Sequence, residues 1–129
     1  MLSKKSSKDR SEIFGKVKSI ADQIIQIRLD TGKSLVFAKQ IGSELKVDYD
    51  VFGNLFFSEY DITLERVFVM RVVEKVKELL VYTEQSLKQI ASALGYNNPS
   101  SLSNILKINT GFTSAYFKKI RKNKLEIIR

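Results

Sequence analysis

SLKQIASALGYNNPSSLSNILKINTGFTSAYFKKIR, residues 86–121, reads as a capped helix, a tight turn, a second helix with a short-chain polar face, and a basic helix after it. Ser86 and Gln89 have capping-box spacing, a hydroxyl at the cap and an amide three residues on. Leu87, Ile90, Ala91 and Leu94 then recur at helical spacing as one apolar stripe. Gly95 ends that helix, because glycine accepts the positive φ favoured just past a helix end. Asn97 is placed to cap the next helix, with Pro99 in the first turn, where backbone N–H groups have no intrahelical partner. Leu102, Ile105 and Leu106 give this helix an inward face. Its outward face carries Asn98, Ser100, Ser101, Asn104 and Lys107, and Asn109-Thr110-Gly111 ends it. Thr113 is placed to cap a third helix predicted over Ser114–Ile120, with Tyr116, Phe117 and Ile120 inward and Lys118, Lys119 and Arg121 exposed.

A polar outer face is the default for any amphipathic helix. Here it follows a glycine turn and precedes a basic run. Short side chains let a helix approach base edges, and asparagine can bond adenine bidentately. That is the order of parts of a helix-turn-helix, which lays its second helix in a DNA major groove. At this point the segment IASALGYNNPSSLSNILKINTGFTSAYFKKIR resembles the second helix-turn-helix of AraC/XylS-type transcription regulators. The family pattern is matched at Ile90, Ala91, Gly95, Ser100, Lys107, Gly111 and Phe117, with Tyr96, Leu102 and Leu106 as conservative replacements. Ser114 stands where the family usually has proline, and Asn104 where arginine is common.

Composition narrows the classes of function. The chain has 129 residues, 43% of them hydrophobic, and a formal charge of +8. Residues 63–129 carry net +7 and residues 1–62 only +1, so a polyanion-binding surface is expected mainly in the second half. With no cysteine and no histidine, disulfides, thiolate chemistry, the usual zinc sites and imidazole catalysis are unavailable to it. No catalytic residue, metal site or cofactor is expected, and nothing reads as a secretory signal or membrane span.

The first half repeats the theme. Apolar spacing predicts a helix over Ser11–Leu29, read as the opening helix of the domain, with self-association as the alternative because Ile24, Ile25 and Ile27 fill more than one stripe. Ser34 is placed to cap a helix running to about Leu45. Asp48 is placed to cap another, with Val51, Phe52, Leu55 and Phe56 inward, which Asp61-Ile62 ends. Thr63 caps a long helix to about Tyr82, buried along Leu64, Val67, Phe68, Val72, Val76, Leu79 and Leu80. Laying one half over the other aligns Ile41-Gly42 with Ile90-Ala91, Asp48 with Asn97, and Phe52 and Phe56 with Leu102 and Leu106, at an offset of 49–50 residues. The resemblance extends, more weakly, over this half, with Lys46 and Asp61 where glycines are common.

The expected fold is therefore all-α: two helix-turn-helix subdomains joined by a long linker helix. The expected divisions are a flexible basic arm at 1–10, an opening helix with the first lobe at 11–62, the linker helix at 63–82, the second lobe at 83–121 and a basic tail at 122–129. The resemblance implies sequence-specific binding of double-stranded DNA and transcription regulation by a cytoplasmic, nucleoid-associated bacterial protein. Family members usually join this domain to a ligand-sensing or dimerising domain, for which 129 residues leave no room, so the expectation is a standalone domain or the DNA-binding part of a longer product, acting as a monomer on DNA. A linker of about 20 residues spans roughly 30 Å, which suits successive grooves about 34 Å apart.

Candidate base contacts are Asn98, Ser100, Ser101 and Asn104 in the second lobe and Tyr49, Asp50, Gly53 and Asn54 in the first. Candidate phosphate contacts are Lys107, Lys118, Lys119, Arg121, Arg71 and Lys88. RNA polymerase or another regulator would be the protein partner. The competing reading is an adaptor or anti-regulator that keeps the fold without DNA contact. An enzyme is disfavoured because no spacing places a nucleophile beside a base.

Overall fold

Apolar residues at i, i+3 and i+4 spacing fold residues 7–128, the part that the computed structural model describes, into seven α-helices and no strand. These are α1 (Ser7–Thr31), α2 (Phe37–Leu45), α3 (Tyr49–Tyr60), α4 (Leu64–Tyr82), α5 (Leu87–Ala93), α6 (Pro99–Thr110) and α7 (Ser114–Ile128). Helices α2–α3 and α5–α6 are the two helix-turn-helix units, and α4 joins them. The architecture is all-α, as expected.

The internal repeat is visible in the turns. Val47 N–H donates to the Gly42 carbonyl at 3.1 Å, and Tyr96 N–H donates to the Ala91 carbonyl at 2.9 Å. This six-to-one bond marks a Schellman-type helix end, which needs a left-handed residue just before the donor. In the second unit that residue is Gly95, at φ 88°; in the first it is Lys46, at φ 56°. At the ends of α3 and α6 the caps Asp61 (φ 56°) and Gly111 (φ 81°) are also left-handed, but with the simpler bond from their own N–H to the carbonyls of Phe57 and Lys107, 2.8 Å each. A Cβ on Gly42 would sit 3.2 Å from the Val47 carbonyl oxygen, so this turn also needs a small residue where the chain recrosses α2.

Two apolar cores result. One gathers Val17, Ile20, Ile24, Ile41, Phe56 and Val67. The other gathers Ile25, Val76, Leu80, Ile90, Leu102 and Leu106. Phe68, on α4, packs against both. The adjacent residues Ile24 and Ile25 are both fully buried, one in each core. Helix α1 is thus a second element spanning both lobes, and its wide apolar surface is spent on α4 rather than left for self-association. The Arg28 guanidinium strengthens this link. It lies over the Phe68 ring at 5.4 Å and donates to the carbonyls of Leu35 (2.7 Å) and Leu94 (3.4 Å).

Several local expectations are corrected. Residues 7–10 belong to α1, and Arg10 pairs with Glu59 on α3 at 2.7 Å, so this part is no loose arm; residues 1–6 lie outside the described residues. Helix α2 starts at Phe37, with Val36 as a cap that makes no side-chain bond. Ser34 does not cap it, because Arg28 holds the Leu35 carbonyl in the segment before the helix. On α3 the inward stripe is Phe52, Phe56 and Tyr60, drawn in by stacking on one another and on Phe14. That rotation turns Val51 and Leu55 outward, 60% and 46% exposed. Tyr116 is also exposed, stacked on Phe112 with ring centroids 4.0 Å apart, while Phe117 takes the buried position. Helix α7 continues past residue 121 through the stretch expected to be a separate tail.

Candidate nucleic-acid interface

The α6 surface is built from its first turn. Asn98, rather than Asn97, is the N-cap: its Oδ1 accepts from the Ser100 N–H at 2.9 Å and from the Ser100 hydroxyl at 2.8 Å. Pro99 follows it at N1, the position where a missing N–H costs nothing. Leu102 and Leu106, each 1% exposed, pin the opposite face to the core. Helical periodicity then points Ser100, Ser101, Asn104 and Lys107 outward, and all four are exposed. No acidic side chain lies between Asn98 and Gly111. Lys107 donates to the Gly111 carbonyl at 3.2 Å, which holds its ammonium at the C-terminal end of the helix.

Sequence reasoning missed Ile108. It follows Asn104 by four residues and shares its face, and it is 81% exposed. The periodicity that placed Asn104 outward puts Ile108 on the same side.

The α3 surface differs in kind. Residues 48–61 hold four acids and no base. Asp48 is the N-cap, accepting from Val51 N–H at 3.0 Å. Asp50 and Asn54 are exposed beside Val51, Leu55 and the 48%-exposed Phe57. The Tyr49 hydroxyl donates to the Glu65 carboxylate. Burial first, then that bond and the neighbouring Glu65 and Asp50 charges, raise the Tyr49 pKa above the ordinary phenol value. Tyr49 is therefore occupied within the fold. Gly53 does not open the outer face either. A Cβ there would meet the Leu64 side chain at 3.5 Å, so its vacant side faces α4.

The six cations singled out in the sequence divide into two groups. Arg71 is tied to Asp22 on α1 through Nε at 2.8 Å and Nη2 at 3.2 Å. Lys118 donates to the Gln85 carbonyl and, at 3.5 Å, to that of Thr83. Arg121 meets Glu84 at 2.9 Å and the Val81 carbonyl at 3.5 Å. These three hold α1 and α7 in place. Lys88 and Lys119 are exposed at the start of α5 and on the outer side of α7, and Lys107 flanks the α6 stripe.

A cleft between α1, α4 and the end of α6 has Phe14, Val67 and Met70 as apolar lining, with Lys18, Arg66 and Lys77 around it. Its polar Asn109 and Thr110 are already bonded to the α6 backbone. Among the described residues no group of three His, Cys, Asp or Glu is placed to hold a metal ion, and no helix is long and apolar enough to cross a membrane.

The fold is similar to that of the C-terminal domain of AraT, a response regulator from Geobacillus stearothermophilus. The TM-score is 0.61 at 22% sequence identity, over 81% of this chain and 85% of that one. No family model matches the chain, and no curated protein matches it.

Proposed function

We propose that this protein binds double-stranded DNA in a sequence-specific way and regulates transcription, with α6 as its principal reading helix. The observation that carries this reading is the α6 outer face: short polar side chains on an acid-free helix whose inner face is locked into the core. Serine and asparagine there can bond base edges. Lys119 and Lys88, both exposed, and Lys107, exposed while donating to the Gly111 carbonyl, are the candidate phosphate partners, and such pairs give affinity that falls with salt. The likeness in fold to a response regulator's C-terminal domain, and the AraC/XylS-type pattern of residues 90–121, support the same reading.

Helix α3 takes the second groove on this reading, with Asn54 as its hydrogen-bonding side chain and Asp50 as an acceptor for a cytosine amino group. Asn98 and Tyr49 contribute less directly, the one by capping α6 and the other by bracing α3 on α4. The chain acts from the cytoplasm, as one copy per site.

A specific observation favours a second reading of the first lobe. The α3 outer face is apolar and acidic: Glu59 is paired with Arg10, but Asp48, Asp50 and Asp61 stand exposed on and beside the helix and repel phosphate. On that reading α3 faces a protein, such as polymerase or another regulator, while α6 alone reads DNA.

Selection from a random-sequence duplex pool, followed by footprinting, separates the two. A bipartite motif protected over about two helical turns supports paired groove entry. A single short motif assigns DNA reading to α6 alone. No enrichment of any sequence overturns the proposal.

A further inference from the structure

We propose that Ile108 is a thymine reader, packing its side chain against the C5 methyl of one thymine next to the base that Asn104 contacts. The inference rests on the DNA-binding reading of α6. Ile108 is the most exposed of the large apolar side chains among the described residues, at 81%. The core makes no use of it, since Leu102 and Leu106 already fill the inner face.

Its position on the helix gives it a groove to face. Ser101, Asn104 and Ile108 stand at intervals of three and four residues, which aligns them on one stripe. The stripe is about 10.5 Å long at 1.5 Å per residue, roughly three base-pair steps at 3.4 Å. A docked recognition helix reads bases through a stripe of that length.

Among the groups that base pairs display in the major groove, the thymine methyl is the apolar one. An aliphatic side chain on a face otherwise made of serine, asparagine and lysine has that methyl as its matching partner. Asparagine, in turn, pairs bidentately with adenine N6 and N7. Asn104 and Ile108 are about 6 Å apart along the axis, less than two base-pair steps. The stripe therefore specifies an adenine and a thymine methyl within two steps of each other.

The test uses the unaltered full chain and the Ile108→Ala variant on the duplex chosen by sequence selection. Each thymine in turn is replaced by deoxyuridine, which removes only the C5 methyl. One replacement is expected to weaken the unaltered protein about fourfold, the effect of one buried methyl-sized group. The same replacement should leave Ile108→Ala unaffected, and that variant should bind the all-thymine duplex as the unaltered protein binds the deoxyuridine one. The deoxyuridine series on the unaltered protein stands whether or not the variant folds. A selected site in which no thymine is coupled to Ile108 overturns this assignment and leaves the DNA-binding reading intact. A pool in which no sequence is selected overturns both.

Discussion

Arg121 reaches from α7 to the connection between α4 and α5, where its guanidinium meets the Glu84 carboxylate at 2.9 Å. The hydrogen bond from Arg121, more than its charge alone, lowers the Glu84 pKa below the usual carboxylate value although that carboxylate stands in water. A carboxylate depressed in the folded state contributes stability above its unfolded pKa and loses it as the pH falls through the folded one. The Arg121→Gln variant should therefore return Glu84 to an ordinary value in a carbon-detected NMR titration. The stability gap between variant and parent in urea should narrow below about pH 4. An unchanged Glu84 titration in the variant would show that this contact is absent in solution. Single residues also mark what sequence reading could reach. Ser86 and Gln89 form the capping box that their spacing announces. Asn97 and Asn98 are both good caps by type, and only the position of Pro99 at N1 shows which one serves. Lys46 and Asp61 stand where glycines are common and take the left-handed backbone without being glycine, a strain of roughly 1–2 kcal/mol that the surrounding turns impose.

At the scale of elements, helix positions were legible because hydrophobic periodicity fixes them, and the directions of half-buried faces were not. Val51 and Leu55 are as apolar as Phe52 and Phe56. What turns α3 is the ring cluster around Phe14, supplied by a helix more than thirty residues earlier. The cations show the same limit: a lysine or arginine at a helix end has equal claim on a phosphate or a carbonyl until tertiary partners are known. The two classes separate by experiment. Lys119→Ala should weaken binding to all duplexes alike and reduce the slope of log affinity against log salt by about one. Arg71→Ala removes a paired contact between α4 and α1, so it should leave that slope unchanged and cost about 0.2–1 kcal/mol of stability. Equal changes of slope in both variants, measured by fluorescence anisotropy over a salt series, would place Arg71 on the phosphate backbone after all.

Across the whole molecule, α4 and α1 run through both cores, Phe68 touches each, and Arg28 holds a carbonyl on either side. The two lobes are consequently one folding unit. Far-ultraviolet circular dichroism and tyrosine fluorescence should report a single, coincident urea transition. Phe68→Ala should shift both signals together, at a cost of about 3 kcal/mol. Two separated midpoints would show that the lobes fold independently. On the proposal that α3 and α6 both enter DNA, the bridge built by α1 and Arg28 carries a consequence for the sites such a protein would use. A frame braced on two sides works as a ruler, and each extra base pair between half-sites swings the far half-site by roughly 35° around the duplex axis. Operators would then tolerate spelling changes far better than a single inserted or deleted pair, and drift in promoter length would silence a site whose letters were all intact.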